Sequence, residues 1–210
     1  MANLITLMRL LLLFVLITLA YRAPPQWQLL DAPLLVLIIA LDGLDGYVAR
    51  KRGETSVFGA VFDIAVDRVV EMILWVVLGH LGLVPIWVAM VFIIRGTMVD
   101  AIRYAAIAQG ETAFGMMRSP LGRLLVASRF MRGLYGTVKA LTFGWVLLIQ
   151  PVPRLDPAIW AAHSEAFAVV TTILVVSSVA LCLLRGLPVI VEFAVVQGVF
   201  GNRFTARVVR

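Results

Sequence analysis

Four of the seven aspartates in this 210-residue chain fall within one short stretch of an otherwise apolar sequence: Asp42, Asp45, Asp63 and Asp67. The first two are three residues apart and the last two are four apart, so on helices each pair shares one face. Carboxylates held so close repel one another and take up protons unless a cation lies between them. Because no histidine or cysteine is near, Mg²⁺, Mn²⁺ or Ca²⁺ is favoured over zinc, and a paired metal site is the hypothesis.

Small residues and an arginine accompany the aspartates. Gly43, Gly46 and Gly59 lie on or beside the same helix faces and would let a bulky group approach the backbone closely. Arg50 follows Asp42 by eight residues, about two helical turns, and so returns near the same side, where it can meet a phosphate. The stretch therefore predicts chemistry that involves a metal and a phosphate.

The spacing resembles the motif D-x-x-D-G-x-x-A-R-x8-G-x3-D-x3-D of the CDP-alcohol phosphotransferases. Eight motif positions are matched over 26 residues: Asp42, Asp45, Gly46, Ala49, Arg50, Gly59, Asp63 and Asp67. The resemblance implies an integral membrane enzyme that transfers a phosphatidyl group from a CDP-linked lipid, CDP-diacylglycerol, to an alcohol and releases CMP.

The same resemblance assigns roles to the matched residues. It implies that the four aspartates, Asp42, Asp45, Asp63 and Asp67, hold two divalent metal ions, Mg²⁺ or Mn²⁺. It also implies that Asp67 is the catalytic base that activates the acceptor hydroxyl. The CDP site is expected to be lined by Gly46, Ala49, Arg50 and Gly59. Members of the family are commonly homodimers, so a homodimer is expected here.

The aspartates also have a simpler interpretation as solvated caps of helix ends. That interpretation suits a single aspartate. Four aspartates at these spacings beside an apolar run favour function, because a charge within a membrane span is costly.

The composition is that of a polytopic membrane protein. The chain is 62% hydrophobic and 14% charged, with a mean hydropathy of +1.01, whereas about a quarter of the residues of a soluble protein are charged. The net charge is +6, and 16 of the 18 basic residues are arginines that gather at the ends of apolar runs. They indicate membrane anchors and phosphate ligands rather than nucleic-acid binding. The single cysteine, Cys182, excludes an intramolecular disulfide and is expected to pack or to face lipid.

The apolar runs predict an all-α fold of one domain, 1–210, with six transmembrane helices and interfacial segments at both termini. No cleavable signal peptide is predicted. The spans are expected at 1–21, 29–47, 57–81, 84–108, 129–149 and 159–184. With a cytoplasmic N-terminus, most arginines fall on the cytoplasmic side, as the positive-inside rule requires. The protein is therefore expected in the inner or plasma membrane, with its active site at the cytoplasmic interface.

The N-terminal residues Asn3, Thr6 and Arg9 form a polar edge on the first predicted span. The opening N-L-x-T-x-x-R resembles the start of the phosphatidylglycerophosphate synthases within the family. A helix whose arginine extends to the membrane interface is an equally good interpretation.

Basic residues further along the chain are predicted to bind the acceptor: Arg103, Arg118, Arg129, Arg132 and Lys139. They are more numerous than serine would need and suit an acceptor that carries its own phosphate. Glycerol 3-phosphate is the first expectation, with inositol phosphate and phosphatidylglycerol, which would give cardiolipin, as alternatives. Some of these side chains are also expected to be ordinary membrane anchors.

The sequence also predicts two ion pairs, and it leaves one other class of protein to consider. Arg68 is expected to pair with Glu71, and Arg95 with Asp100. A divalent-cation transporter would use the same aspartates, but transporters more often show internal repeats and broken helices, and no repeat is evident here.

Overall fold

The computed structural model describes residues 2–52, 57–108 and 119–196, and within these ranges the chain is helical with no β-strand. In chain order the helices are α1 (Ala2–Arg22), α2 (Pro25–Gln28), α3 (Asp31–Arg52), α4 (Val57–His80), α5 (Ile86–Ala108), α6 (Pro120–Gly122), α7 (Arg129–Ile149), α8 (Val152–Leu155) and α9 (Pro157–Val196). A π-helical turn, Arg123–Ala127, joins α6 to α7. The all-α prediction is confirmed.

Three described segments are long and apolar enough to cross a membrane: Leu4–Arg22, Pro25–Leu44 and Pro157–Val196. The helices α4, α5 and α7 have 24, 23 and 21 residues, but each carries three or more charged side chains. The all-helical membrane architecture is thus supported, and the count of six spans stays a prediction.

The chain divides into two compact units. The first comprises Met1–Ala89 and Ala140–Ile173, and the second comprises Met90–Lys139 and Leu174–Arg210. The helices α5, α7 and α9 contribute residues to both. The expectation of a single domain over 1–210 stays a prediction.

In the first unit, α1 packs against α3 and α4. Fully buried side chains of this unit include Leu13, Leu16, Leu35, Ile38, Leu74, Trp75 and Leu78. The Trp75 ring packs against Phe143 of α7 with 4.6 Å between the ring centroids. Trp145 donates a hydrogen bond from its indole N–H to the Thr171 hydroxyl at 3.0 Å, which ties α7 to α9.

The end of α1 is held by two buried glutamines. The carbonyl of Ala20 is one of the last four of the helix, which have no partner within it. It accepts a hydrogen bond from Gln28 Nε2 at 3.0 Å and a second from Gln150 Nε2 at 2.8 Å. Both glutamines are buried, at 2% and 7% exposure. One main-chain oxygen therefore joins α1, α2 and the segment that follows α7.

The turn between α4 and α5 requires a glycine. Gly82 has a φ of +71°, in the left-handed region that favours glycine. Its N–H donates to the Gly79 carbonyl at 3.1 Å, and the Leu83 N–H donates to the Leu78 carbonyl at 3.0 Å. These two bonds form a Schellman motif, which satisfies the last carbonyls of α4.

Helix α9 is longer than predicted. Asp156 caps its start by accepting from the Ile159 N–H at 2.9 Å. The helix continues through Pro188 to Val196, so no helix end separates the predicted sixth span, which ends at Leu184, from the segment predicted to follow it as far as Val196. The reason is a stripe of buried residues at helical spacing on both sides of the proline: Val175, Ser178, Val179, Cys182, Arg185, Gly186, Val189, Glu192 and Val195. Burial of Cys182 agrees with a packing role.

The segment between the predicted fourth and fifth spans contains helical turns in its described part, from residue 119 onward. Ser119 accepts a hydrogen bond at its hydroxyl from the Gly122 N–H at 3.0 Å, and Pro120 occupies the first helical position. The Ser119 N–H and hydroxyl in turn donate to the buried carboxylate of Glu192. This turn therefore belongs to the second unit, whose apolar core contains Val99, Ile102, Ala106, Val126 and Val189.

Replacing Trp75, which is fully buried, should test the core of the first unit. We expect Trp75→Ala to cost about 3–5 kcal/mol of the free energy of unfolding, because its loss leaves a cavity beside Phe143. The corresponding fall in Tm of the detergent-solubilised protein is roughly 10 °C. Trp87→Ala is the matched control, because Trp87 lies in the same unit and is 48% exposed. Equal losses in the two variants would contradict this assignment of the core.

Candidate functional site

Three of the predicted metal ligands come together in the first unit. Asp42 lies on α3, and Asp63 and Asp67 lie one turn apart on α4. Each offers a carboxylate oxygen, and these three oxygens all lie within 4.8 Å of one another. Asp42 and Asp63 are half-buried and Asp67 is exposed, so the cluster is open on one side. The structure thus brings Asp42 of the first predicted pair together with both members of the second pair.

A buried arginine from α1 lies among these carboxylates. Arg9 is only 3% exposed. Its Nη1 lies 2.7 Å from an oxygen of Asp42 and 3.0 Å from an oxygen of Asp63. Its Nη2 pairs with Asp67. One guanidinium therefore contacts three carboxylates from two helices.

The charges show why a cation is needed there. Two carboxylates 4.8 Å apart repel by about 3 kcal/mol at an effective dielectric constant of about 20, and a guanidinium in contact attracts each by about 5 kcal/mol. Arg9 therefore holds Asp42, Asp63 and Asp67 together. Three negative charges and one positive charge still leave a net charge of −2 within the described cluster.

The cluster fits a divalent metal. Its donors are carboxylate oxygens, which suit Mg²⁺ or Mn²⁺. The residual charge of −2 matches one divalent ion, and the Arg9 guanidinium shows that a cation is already accommodated among these oxygens. The fourth predicted ligand, Asp45, lies on α3, and its side chain lies outside the described part of the structure.

The predicted CDP-binding residues are described only in part. Gly46, Ala49 and Arg50 lie on the last turns of α3, and their side chains are outside the described part. Gly59 is half-buried on α4, one turn before Asp63. One turn beyond Asp67, the predicted pair of Arg68 with Glu71 is confirmed, with 3.3 Å between Nη1 and Oε2.

A second cluster, of positive charge, surrounds Tyr135 in the second unit. The Lys139 Nζ lies 4.3 Å from the centre of the tyrosine ring. The guanidinium carbons of Arg95 and Arg185 lie 5.7 and 5.5 Å from the same ring centre. Arg132 is within electrostatic range of Arg185. Three cationic side chains therefore make cation–π contacts with one ring, and such contacts are favourable.

Two of these arginines are buried with nitrogens that lack a hydrogen-bond partner among the described residues. Arg95 is 7% exposed and Arg185 is 5% exposed. The nitrogens concerned are Nε of Arg95 and both Nε and Nη1 of Arg185, whose Nη2 donates to the Val126 carbonyl at 3.4 Å. Buried charges without partners are costly. An anion with several oxygens, such as phosphate, would satisfy them, so the Tyr135 cluster is a candidate anion site.

Gly186 makes room for one of these arginines. A Cβ at position 186 would lie 2.5 Å from both Cγ and Nε of Arg95. The absence of a side chain at Gly186 therefore allows the Arg95 guanidinium to reach its place above Tyr135.

The predicted acceptor residues are distributed unevenly. Lys139 contacts Tyr135, and Arg132 acts on Arg185 through its charge. Arg103 is half-buried on α5, and Arg129 is exposed at the start of α7. Arg118 lies outside the described residues. Arg95, expected to pair with Asp100, instead lies beside Tyr135 and Arg185.

Sequence reasoning missed four residues of these two clusters. Arg9 was interpreted as part of a polar helix edge and Arg95 as one half of an ion pair. Arg185 was only one of the arginines at the ends of apolar runs, and Tyr135 was not considered. A signal was present for the arginines, because each interrupts or ends a strongly apolar helix and charges in such positions tend to be functional.

Comparisons with known proteins give consistent results. The family model for CDP-alcohol phosphatidyltransferase matches residues 1–174. The chain is 27% identical over 138 residues to the CDP-diacylglycerol–glycerol-3-phosphate 3-phosphatidyltransferase of Bacillus subtilis (strain 168), a match that covers 66% of this chain and 68% of that relative. A protein of the same name from Pseudomonas fluorescens is 35% identical over 119 residues, covering 54% of this chain and 59% of that relative.

Removing one carboxylate should weaken metal binding. We expect Asp63→Asn to lower the affinity for Mn²⁺ by about tenfold or more, because a charged ligand is replaced by a neutral one. Electron paramagnetic resonance of free Mn²⁺ measures this. Asp156→Asn is the matched control, since Asp156 caps α9 away from the cluster and asparagine also caps helices. Equal Mn²⁺ affinity in wild type and Asp63→Asn would contradict the metal site.

Proposed function

Since this chain belongs to the CDP-alcohol phosphatidyltransferase family, we propose that it transfers a phosphatidyl group from CDP-diacylglycerol to glycerol 3-phosphate and releases CMP. The observation that carries this proposal is the convergence of Asp42, Asp63 and Asp67, three members of the motif, within 4.8 Å. Family membership also favours phosphatidyl transfer over divalent-cation transport by the same carboxylates.

The aspartate cluster would act on the pyrophosphate of the donor. Asp42, Asp45, Asp63 and Asp67 would hold two divalent ions, Mg²⁺ or Mn²⁺, which supply Lewis-acid neutralisation of the pyrophosphate charge. The backbone around Gly46, Ala49 and Gly59 would admit the nucleotide closely, and Arg50 would contact a phosphate. These roles follow from the motif positions.

Asp67 would be the proton acceptor. It is the most exposed of the three clustered carboxylates, at 48%, so an acceptor hydroxyl can approach it. As Asp67 takes the proton, the acceptor oxygen attacks the phosphorus that bears diacylglycerol. The bond from that phosphorus to the bridging oxygen breaks, and CMP leaves with that oxygen. Binding the acceptor hydroxyl and the donor phosphorus in line for attack would also lower the barrier to transfer.

The Tyr135 cluster supports an acceptor that carries its own phosphate. Arg95 and Arg185 offer buried nitrogens without described partners, and Lys139 and Arg132 add positive charge. An acceptor without a phosphate would offer no phosphate oxygens to the unsatisfied nitrogens of Arg95 and Arg185. Both relatives are named for transfer to glycerol 3-phosphate. This supports glycerol 3-phosphate over inositol phosphate and phosphatidylglycerol.

The setting of the site is also part of the proposal. The distribution of arginines along the sequence supports a cytoplasmic N-terminus and an active site at the cytoplasmic membrane interface. There the CDP headgroup would arrive from water while the acyl chains stay in the bilayer. Homodimer formation stays a prediction.

The proposal is tested by CMP release from CDP-diacylglycerol by the purified protein with Mg²⁺ or Mn²⁺. We expect release with glycerol 3-phosphate and little with inositol phosphate, serine or phosphatidylglycerol. Serine has no phosphate for the Tyr135 cluster, and both relatives are named for glycerol 3-phosphate rather than for the other two acceptors. Release with inositol phosphate alone would change the acceptor and keep the reaction class. No release with any acceptor would overturn the proposal.

The proton acceptor has its own test. Asp67→Asn should lower the rate of CMP release by about 10²-fold to 10⁴-fold, because asparagine cannot take the acceptor proton. A variant that retains substantial metal-dependent release would refute the role of Asp67. Asp156→Asn again serves as the control and should keep wild-type activity.

Gly186 offers a test of the acceptor site. We expect Gly186→Ala to raise the KM for glycerol 3-phosphate about tenfold, because the added Cβ displaces Arg95 and removes a charge-assisted contact. The KM for CDP-diacylglycerol should stay unchanged. Gly136→Ala is the matched control, since a Cβ at 136 meets nothing within 4 Å. If Gly186→Ala changes both KM values alike, the cluster is not an acceptor site.

A further inference from the structure

We propose that Arg9 is an internal cation that competes with the divalent metals for the aspartate cluster, holding Asp42, Asp63 and Asp67 together until metal displaces it. The proposal rests on the metal site of the proposed function. It adds a role for a residue outside the aspartate motif.

The contacts of Arg9 are those that a metal would need. It engages one oxygen from each of Asp42, Asp63 and Asp67, and these are the three residues whose oxygens lie within 4.8 Å of one another. Two of its nitrogens are used, so the planar fork bridges the carboxylates of α3 and α4. The guanidinium therefore contacts the same three carboxylates that a divalent cation would bind.

Arg9 and a metal ion compete for the same carboxylate oxygens. Mg²⁺ binds carboxylate oxygens at about 2.0–2.1 Å, whereas Arg9 Nη1 lies 2.7 Å from Asp42 and 3.0 Å from Asp63. A divalent ion at that distance from the same oxygens would lie against the guanidinium, and the two positive charges repel. Metal binding therefore weakens the hold of Arg9 on the cluster, and Arg9 weakens metal binding by the same factor.

Arg9 also has a structural effect that depends on metal. In the absence of metal it links α1 to α3 and α4 by offsetting the repulsion among three carboxylates. Once metal supplies that positive charge, the link is no longer needed. Loss of Arg9 should therefore destabilise the metal-free protein more than the metal-loaded protein. An arginine that only braces the helices permanently would stabilise both forms equally.

The experiment measures Mn²⁺ affinity and Tm in the full-length, detergent-solubilised protein. The variants are Arg9→Gln, which removes the charge, and Arg9→Lys, which keeps the charge and loses the planar fork. The matched control is Arg22→Gln, an exposed arginine at the other end of α1. Free Mn²⁺ is followed by electron paramagnetic resonance, and Tm is measured in EDTA and at saturating Mn²⁺.

We expect Arg9→Gln to bind Mn²⁺ at least about tenfold more tightly than wild type, because one positive charge is removed from contact distance. Arg9→Lys should fall between the two, and it keeps the test valid if Arg9→Gln does not fold. The Tm of either variant should be lowered in EDTA, with a smaller loss at saturating Mn²⁺. Arg22→Gln should match wild type in both measurements.

Two results would overturn the proposal. The first is that the Arg9 variants bind Mn²⁺ no more tightly than wild type, although wild type binds Mn²⁺ and releases CMP. This result would leave the proposed function intact. The second is the absence of Mn²⁺ binding in wild type, which removes the metal site and the competition together.

Discussion

Carboxylates that lie close together in apolar surroundings need a positive charge beside them, either from a basic side chain or from a bound cation. In the first unit, one guanidinium meets three carboxylates from α3 and α4 and leaves a net charge of −2. The attraction offsets the repulsion among these carboxylates, and the residual charge favours a divalent ion. The local arrangement of α1, α3 and α4 and the chemistry proposed for their carboxylates thus depend on the same electrostatic requirement.

The second unit shows the opposite charge arrangement. Arg95, Lys139 and Arg185 surround the ring of Tyr135, and buried guanidinium nitrogens have no described partner. Burying guanidinium nitrogens without hydrogen-bond acceptors is costly, and this cost is the basis for proposing an anion beside Arg95 and Arg185. One unit thus offers oxygen ligands to cations, and the other offers nitrogen donors to an anion.

The sequence predicts the parts of the site that depend on short spacing. The pairs Asp42 with Asp45 and Asp63 with Asp67 were recognisable because helical periodicity relates residues three or four apart. The pair of Arg68 with Glu71 was predicted for the same reason. In contrast, Arg9 is 54 residues from Asp63, and Arg185 is 50 residues from Tyr135. No local pattern encodes such contacts, because they arise when separate helices pack. The continuation of α9 through Pro188 was missed for a related reason, since burial on both sides of the proline outweighs one lost hydrogen bond.

The junction at the end of α1 shapes how this region can change in evolution. Gln28 and Gln150 both donate to the carbonyl of Ala20, which belongs to the main chain and is present whatever residue occupies position 20. Substitution there is limited by size, since the side chain is only 2% exposed. The side chains that these two hydrogen bonds require are only those of Gln28 and Gln150. Descendant sequences can therefore drift at position 20 among small residues and keep the junction, while either glutamine, once lost, is not replaced by a change at its acceptor.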